Sequence, residues 1–353
     1  PLLGYLVYKK NINAWLASFL AILICILSVI AGVSFPISIN STLWMVILSF
    51  YCLLAAGIPV WIILQPRDFA NSFMLYAGIA GLFVAGIAAG LKGETLQLPA
   101  MNLAEGNAKL GPIWPFLFIT VACGAISGFH SLVSGGTTSK QISRESDAKK
   151  IAFGGMLLEG LLAVGVLVAI GCGIMFKDYA GIVFPVDPSV KSNPILAFSL
   201  ATGGLLYKGL GIPAAFGTVF GILMVEGFVV TTLDTAVRLN RYLFEELWTM
   251  LFKKVPGFLK TYIFNALLCV VLMFVLSYYN AFLIIWPVFG SANQLLASLA
   301  LLAVSVWLTC RGKSALFTVI PAVFMLVTTI YSLSSLMLNN YPPNRNYVLT
   351  VFA

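Results

Sequence analysis

The chain has 353 residues, 60% of them apolar and only 9% Asp, Glu, Lys or Arg, with a mean hydropathy of +1.01. Soluble domains carry about 25% charged residues, so this composition leaves nothing from which to build one and indicates a membrane protein. The net charge of +8 excludes little alone, because basic residues beside membrane spans report orientation. With no soluble basic face or aromatic platform, a nucleic-acid partner is not expected.

The first residue is Pro1, and no charged stretch, short apolar run and cleavage site precede the first span, so no signal peptide is read. The chain is expected to be a fragment lacking N-terminal spans and its C-terminal end. About 20 apolar residues cross a hydrocarbon core of about 30 Å. Windows of that size predict nine spans, at 13–35, 42–64, 70–91, 113–134, 151–176, 212–232, 258–278, 282–308 and 315–337. The expectation is an all-α, polytopic fold forming one transmembrane domain over 1–353, embedded in a lipid bilayer. Segments 92–112 and 177–211 carry Gly, Pro, Asn and acidic residues and read as loops, with a helix at 194–206 inside the second. Segment 234–252 continues the sixth span as an amphipathic helix along the membrane surface, with Arg238, Arg241, Glu245 and Glu246 beside Leu239, Leu243, Leu247 and Leu251. Placed on alternate sides, fourteen of the 20 Lys and Arg residues collect on the side where the chain starts, which makes that side cytoplasmic. Six cysteines occur singly within or beside apolar runs. They read as packing residues, and no metal site, catalytic residue or cofactor is expected.

The one histidine lies in GAISGFHSLVSGGTTSKQISRESDAKK, Gly124 to Lys150. Wound at 100° per residue, Thr120, Cys123, Gly124, Ser127, His130, Ser131 and Ser134 share one sector of a helix. Lipid does not accommodate such a stripe, so it faces other helices or a wet cavity. It is either a small-residue packing seam, with Gly124 and Gly128 allowing close approach, or the wall of a permeation pathway. Gly135 and Gly136 are expected to interrupt this helix, and Thr138 with Gln141 to form a capping box. A second interruption is expected in WPVFGSANQLLA, 286–297, where Pro287, Gly290 and Ser291 would free backbone groups beside Asn293 and Gln294. An ordinary proline kink is the alternative.

Glu159 and Glu226 sit inside apolar runs. A charged carboxylate there is costly, so each carries a proton or has a partner such as His130, a hydroxyl or a cation, as ion coupling requires. Structural carboxylates are the alternative. Asp234 precedes Arg238 by one turn, and an i to i+4 ion pair is expected to anchor the surface helix. Arg67 and Asp68 read as an orientation charge and a helix cap.

Four stretches in this order, PVWIILQPRDFANSF (59–73), the histidine-containing segment, TTLDTAVRLNRY (231–242) and WPVFGSANQLLA, closely resemble the carbon starvation protein A family of bacterial inner-membrane permeases. The resemblance implies uptake of peptides or small carboxylates such as pyruvate during starvation, and a fold related to the amino acid, polyamine and organocation superfamily. It also implies further N-terminal spans, one of them glycine-rich and histidine-containing. The expected protein is therefore a secondary transporter, not an enzyme, coupled to a proton or sodium ion. Its solute is expected to meet Ser127, His130, Ser131, Ser134, Gly290, Ser291, Asn293 and Gln294, with Glu159 or Glu226 carrying the coupling proton. GAISGFHS superficially resembles an intramembrane serine protease motif, but Ser127 and His130 share a helix and no second histidine exists. A nutrient-sensing receptor without transport is the remaining alternative.

Overall fold

A computed structural model describes residues 2–35, 37–187, 190–279 and 282–340, and the described residues are helical with no strand. In chain order the helices are α1 (Leu2–Tyr8), α2 (Ala14–Ser34), α3 (Ser41–Gly57), α4 (Leu64–Leu91), α5 (Leu103–Leu110), α6 (Phe118–Ala125), α7 (Gly128–Gly136), α8 (Glu145–Gly173), α9 (Phe176–Val183), α10 (Pro194–Leu210), α11 (Ala214–Leu251), α12 (Tyr262–Tyr278), α13 (Phe282–Cys310) and α14 (Leu316–Asn340). Among the described residues, α2, α4, α8, α11, α13 and α14 are long and apolar enough to cross a membrane, and α3, α10 and α12 are shorter apolar helices. This is a polytopic, all-α membrane fold. Asparagines open several of these helices by accepting from an orphan N–H of the first turn. Asn13 takes Leu16 N at 2.7 Å, Asn40 takes Leu43 N at 2.7 Å, and Asn193 takes Leu196 N at 3.0 Å.

Contacts divide the chain into two units, Pro1–Ala100 with Ile151–Val270, and Met101–Lys150 with Val271–Ala353. In the first, α10 packs against both α4 and α11. Its buried Phe198, Leu205 and Leu206 join Leu82, Ala85, Ala89, Ala169 and Met224 in one apolar cluster. Close approach depends on missing side chains: a Cβ on Gly204 would overlap the carbonyl of Gly173, and one on Gly217 would come within 2.8 Å of Gly203 Cα. The expected outer loop 177–211 thus contains a core helix. Its 17 residues fall short of a spanning window, and the Ala, Gly, Ser and Thr that lower its hydropathy are what allow tight packing. α11 runs unbroken for 38 residues, so 234–251 continues the sixth span as expected, and it buries Asp234, Thr235, Val237 and Leu239. At 1.5 Å per residue it extends about 57 Å, well beyond a hydrocarbon core of about 30 Å.

In the second unit α13 and α14 form an antiparallel pair whose register is set by Ser291 with Ser332 (3.0 Å) and Ser305 with Thr318 (2.7 Å). α6 and α7 pack on α13. Two expectations are corrected here. The 286–297 stretch does not interrupt its span, because α13 is one helix from Phe282 to Cys310. Its small residues serve packing instead: a Cβ on Gly290 would lie 2.9 Å from Ile119 Cγ2. The fourth span ends at the glycine pair as expected, with α7 stopping at Gly136, but it also breaks earlier, at Ile126–Ser127, where no interruption was expected. Thr138–Lys140 is a single 3-10 turn without a side-chain cap, so no capping box forms there.

Candidate functional site

The break between α6 and α7 places a helix N-terminus inside an apolar stretch, where free N–H groups are expensive. Ser127 adopts extended geometry (φ −103°, ψ 124°), and its Oγ accepts from His130 N at 3.3 Å. Phe129 N donates to Asn293 Oδ1 at 2.8 Å, and Asn293 Nδ2 lies 3.3 Å from Ser127 Oγ. One buried amide on α13 therefore caps α7 and holds its N-cap serine. Gly128 makes this possible, since a Cβ there would lie 2.6 Å from both Ala297 N and Leu296 Cβ. Gly124 meets nothing within 4 Å, so of the two glycines only Gly128 serves a close approach.

The expected site residues separate into two groups. Ser291, Asn293 and Gln294 are buried and engaged within the unit: Ser291 with Ser332, Asn293 with α7, and Gln294 Nε2 with Phe118 O at 2.8 Å. Ser131 turns back to Gly128 O at 2.6 Å. His130 and Ser134 are exposed, and neither side chain has a hydrogen-bond partner among the described residues. The buried group is mainly on α13 and the exposed pair is on α7, where His130 and Ser134 lie one turn apart.

Sequence reasoning missed the polar residues of α14. Thr328, Thr329 and Ser332 are buried, and Trp114 Nε1 donates to Thr328 Oγ1 at 3.2 Å. Two buried oxygens, Gln294 Oε1 and Thr329 Oγ1, have no hydrogen-bond partner among the described residues. The Ser291–Ser332 and Ser305–Thr318 register places them on the same rung of the α13–α14 pair. The available signal was the i to i+4 spacing of Thr328 and Ser332 in an otherwise apolar run.

A second polar cluster lies in the first unit. Arg67 on α4 pairs with Asp234 on α11, whose side chain is 0% exposed. Arg67 Nη2 also meets Asp68 at 3.0 Å, and Asp68 accepts from Thr231 Oγ1 at 3.1 Å. Tyr51 OH lies 2.6 Å from Arg67 Nη1. The expected Asp234–Arg238 pair is thus replaced by Arg67–Asp234, and Arg238 donates to Ala55 O and Ile58 O at 2.9 and 2.7 Å, capping the C-terminal end of α3. Helix geometry puts Arg238 one turn from Asp234, but a residue 167 positions away fills the buried site, and nothing local signals that. Glu159 and Glu226, in the same unit, are exposed and have no hydrogen-bond or ion-pair partner among the described residues.

The model for "Carbon starvation protein CstA" matches residues 1–187 and 175–332. The chain is 33% identical over 349 residues to a Helicobacter pylori protein named peptide transporter CstA, covering 84% of this chain and 50% of that one. It is 30% identical over 370 residues to the Bacillus subtilis protein of the same name, covering 93% and 60%. It is 31% identical over 363 residues to the pyruvate/proton symporter BtsT of Escherichia coli, covering 83% and 50%. The chain thus spans about half the length of these curated relatives, and no solved structure matches it. The matched regions take in the broken helix with its Asn293 clamp and the buried Arg67–Asp234 pair, and the chain belongs to the carbon starvation protein CstA family.

Proposed function

We propose that this chain is part of a secondary active transporter of the bacterial inner membrane, taking up peptides or small carboxylates such as pyruvate during carbon starvation, with proton or sodium entry as the driving force and with its start on the cytoplasmic side. The single observation that carries this reading is the α6–α7 break supported by Asn293. Interrupted spans leave helix ends and polar side chains at membrane depth, where carriers bind solutes and ions. His130 and Ser134 are exposed on α7, and lipid does not accept them there, so that face meets water, solute or protein. In this reading His130, Ser134 and Ser131 contact the solute, with the imidazole supplying positive potential for a carboxylate. Ser127, Gly290, Ser291, Asn293 and Gln294 hold the two helices in position behind them. Glu159 and Glu226, exposed carboxylates on apolar helices, are the candidates for the coupling proton.

The test is uptake of labelled dipeptide and labelled pyruvate into proteoliposomes containing the full-length protein. Accumulation that requires an inward proton or sodium gradient is the expected result. Saturable binding of either solute without accumulation under any gradient would replace the carrier with a nutrient-sensing receptor.

A further inference from the structure

The connector that follows α11 carries Lys253, Lys254 and Lys260 within eight residues. All three are exposed, and together with Thr249, Phe252 and Val255 they line an open cleft of about 490 Å³. No carboxylate lines it. The preceding acids on α11 are Glu245, which faces Arg241 at 3.8 Å, and Glu246. None of the three lysines has an ion-pair or hydrogen-bond partner among the described residues. Apolar side chains surround the same end of the helix: Met250, Leu251 and Phe258 are 83%, 63% and 60% exposed, and the Trp248 indole is tied to Asn265 at 2.8 Å.

Lysines just beyond a helix C-terminus can act simply by opposing its dipole. That role needs them at the last carbonyls, yet the final turn of α11 contains no basic residue. These lysines instead line one open cleft, with exposed apolar residues close by in the sequence. Three exposed ammonium groups around one open cleft suit a phosphate, and exposed Met, Leu and Phe in the same segment suit a membrane interface. The segment also belongs to the side on which the sequence collects fourteen of its 20 basic residues. We propose that this cleft binds the headgroup of an anionic phospholipid, with the phosphodiester held by Lys253, Lys254 and Lys260. This site is separate from the solute site and independent of which solute is carried.

The test uses the purified full-length protein and its Lys253→Gln/Lys254→Gln/Lys260→Gln variant. Each is titrated with short-chain phosphatidylglycerol, short-chain phosphatidylcholine and inorganic phosphate, following thermal unfolding and the lipids retained in native mass spectrometry. Phosphatidylglycerol should stabilise the wild type more than the other two, and the variant should keep its fold while its affinity for phosphatidylglycerol falls roughly 100-fold, at about 1 kcal/mol per lysine. Equal phosphatidylglycerol binding by the two proteins overturns the site. A wild-type gain reproduced by inorganic phosphate alone overturns the lipid assignment in favour of a free anion.

Discussion

Asp234 shows how far a single residue's role can depart from its neighbours in sequence. Its side chain is fully buried, and a carboxylate removed from water must be paired. Arg67 supplies the charge, and Asp68, Tyr51 and Thr231 complete a network across α3, α4 and α11. Replacing Asp234 by Ala leaves a largely buried guanidinium with only the half-exposed Asp68 beside it, and breaking such pairs costs about 3–5 kcal/mol. A clear drop in the unfolding temperature of the purified protein is expected. Arg67→Met with Asp234→Leu should recover much of that loss, because it removes both charges together. If the double variant is as unstable as the single one, the pair is not the source of the stability. The apolar surroundings of Arg67 and Asp234 were legible beforehand; that they meet each other was not, since 167 residues of chain separate them.

Among the elements, helix positions were largely visible in the hydropathy, whereas breaks that rest on a distant partner were not. Gly135–Gly136 does end α7, in keeping with glycine's weakening of helices, yet the chain also breaks at Ile126–Ser127, where a serine and an asparagine 166 residues on can satisfy the exposed N–H groups. Gly290 and Ser291 looked like a second break and turned out to be contact residues on a continuous α13. A glycine in a membrane helix has two uses, to weaken it or to admit a neighbour, and only the neighbour tells which. Gly128 therefore offers a discriminating substitution. Gly128→Val pushes into the backbone of α13 and should destabilise the protein by about 1–3 kcal/mol, with loss of uptake. Gly135→Ala enters open space and should leave both unchanged. Thermal unfolding and initial uptake rates of the two variants, measured in parallel, provide the check. Similar behaviour of the two would remove the α7–α13 contact from the account.

Coupling is a property of the whole molecule, since a proton must be bound in one global state and released in another. Glu226 is exposed on α11, in a run of apolar residues and without a partner among the described residues. Glu226→Gln keeps the shape and removes the titrating group. If this carboxylate carries the coupling proton, gradient-driven accumulation should be lost while counterflow exchange of labelled solute persists; unchanged accumulation would exclude it. The sequence by itself determined that the chain is an all-helical membrane protein, roughly where its apolar segments run, and which family it resembles, because hydrophobicity and its period act over 20 residues of one helix. Only the tertiary structure decided that α10 is a core helix, that Asp234 faces Arg67, and that Asn293 closes the end of α7. Those outcomes depend on which distant groups can satisfy a buried charge, a free N–H or a gap the size of a missing Cβ, and no local pattern specifies the partner.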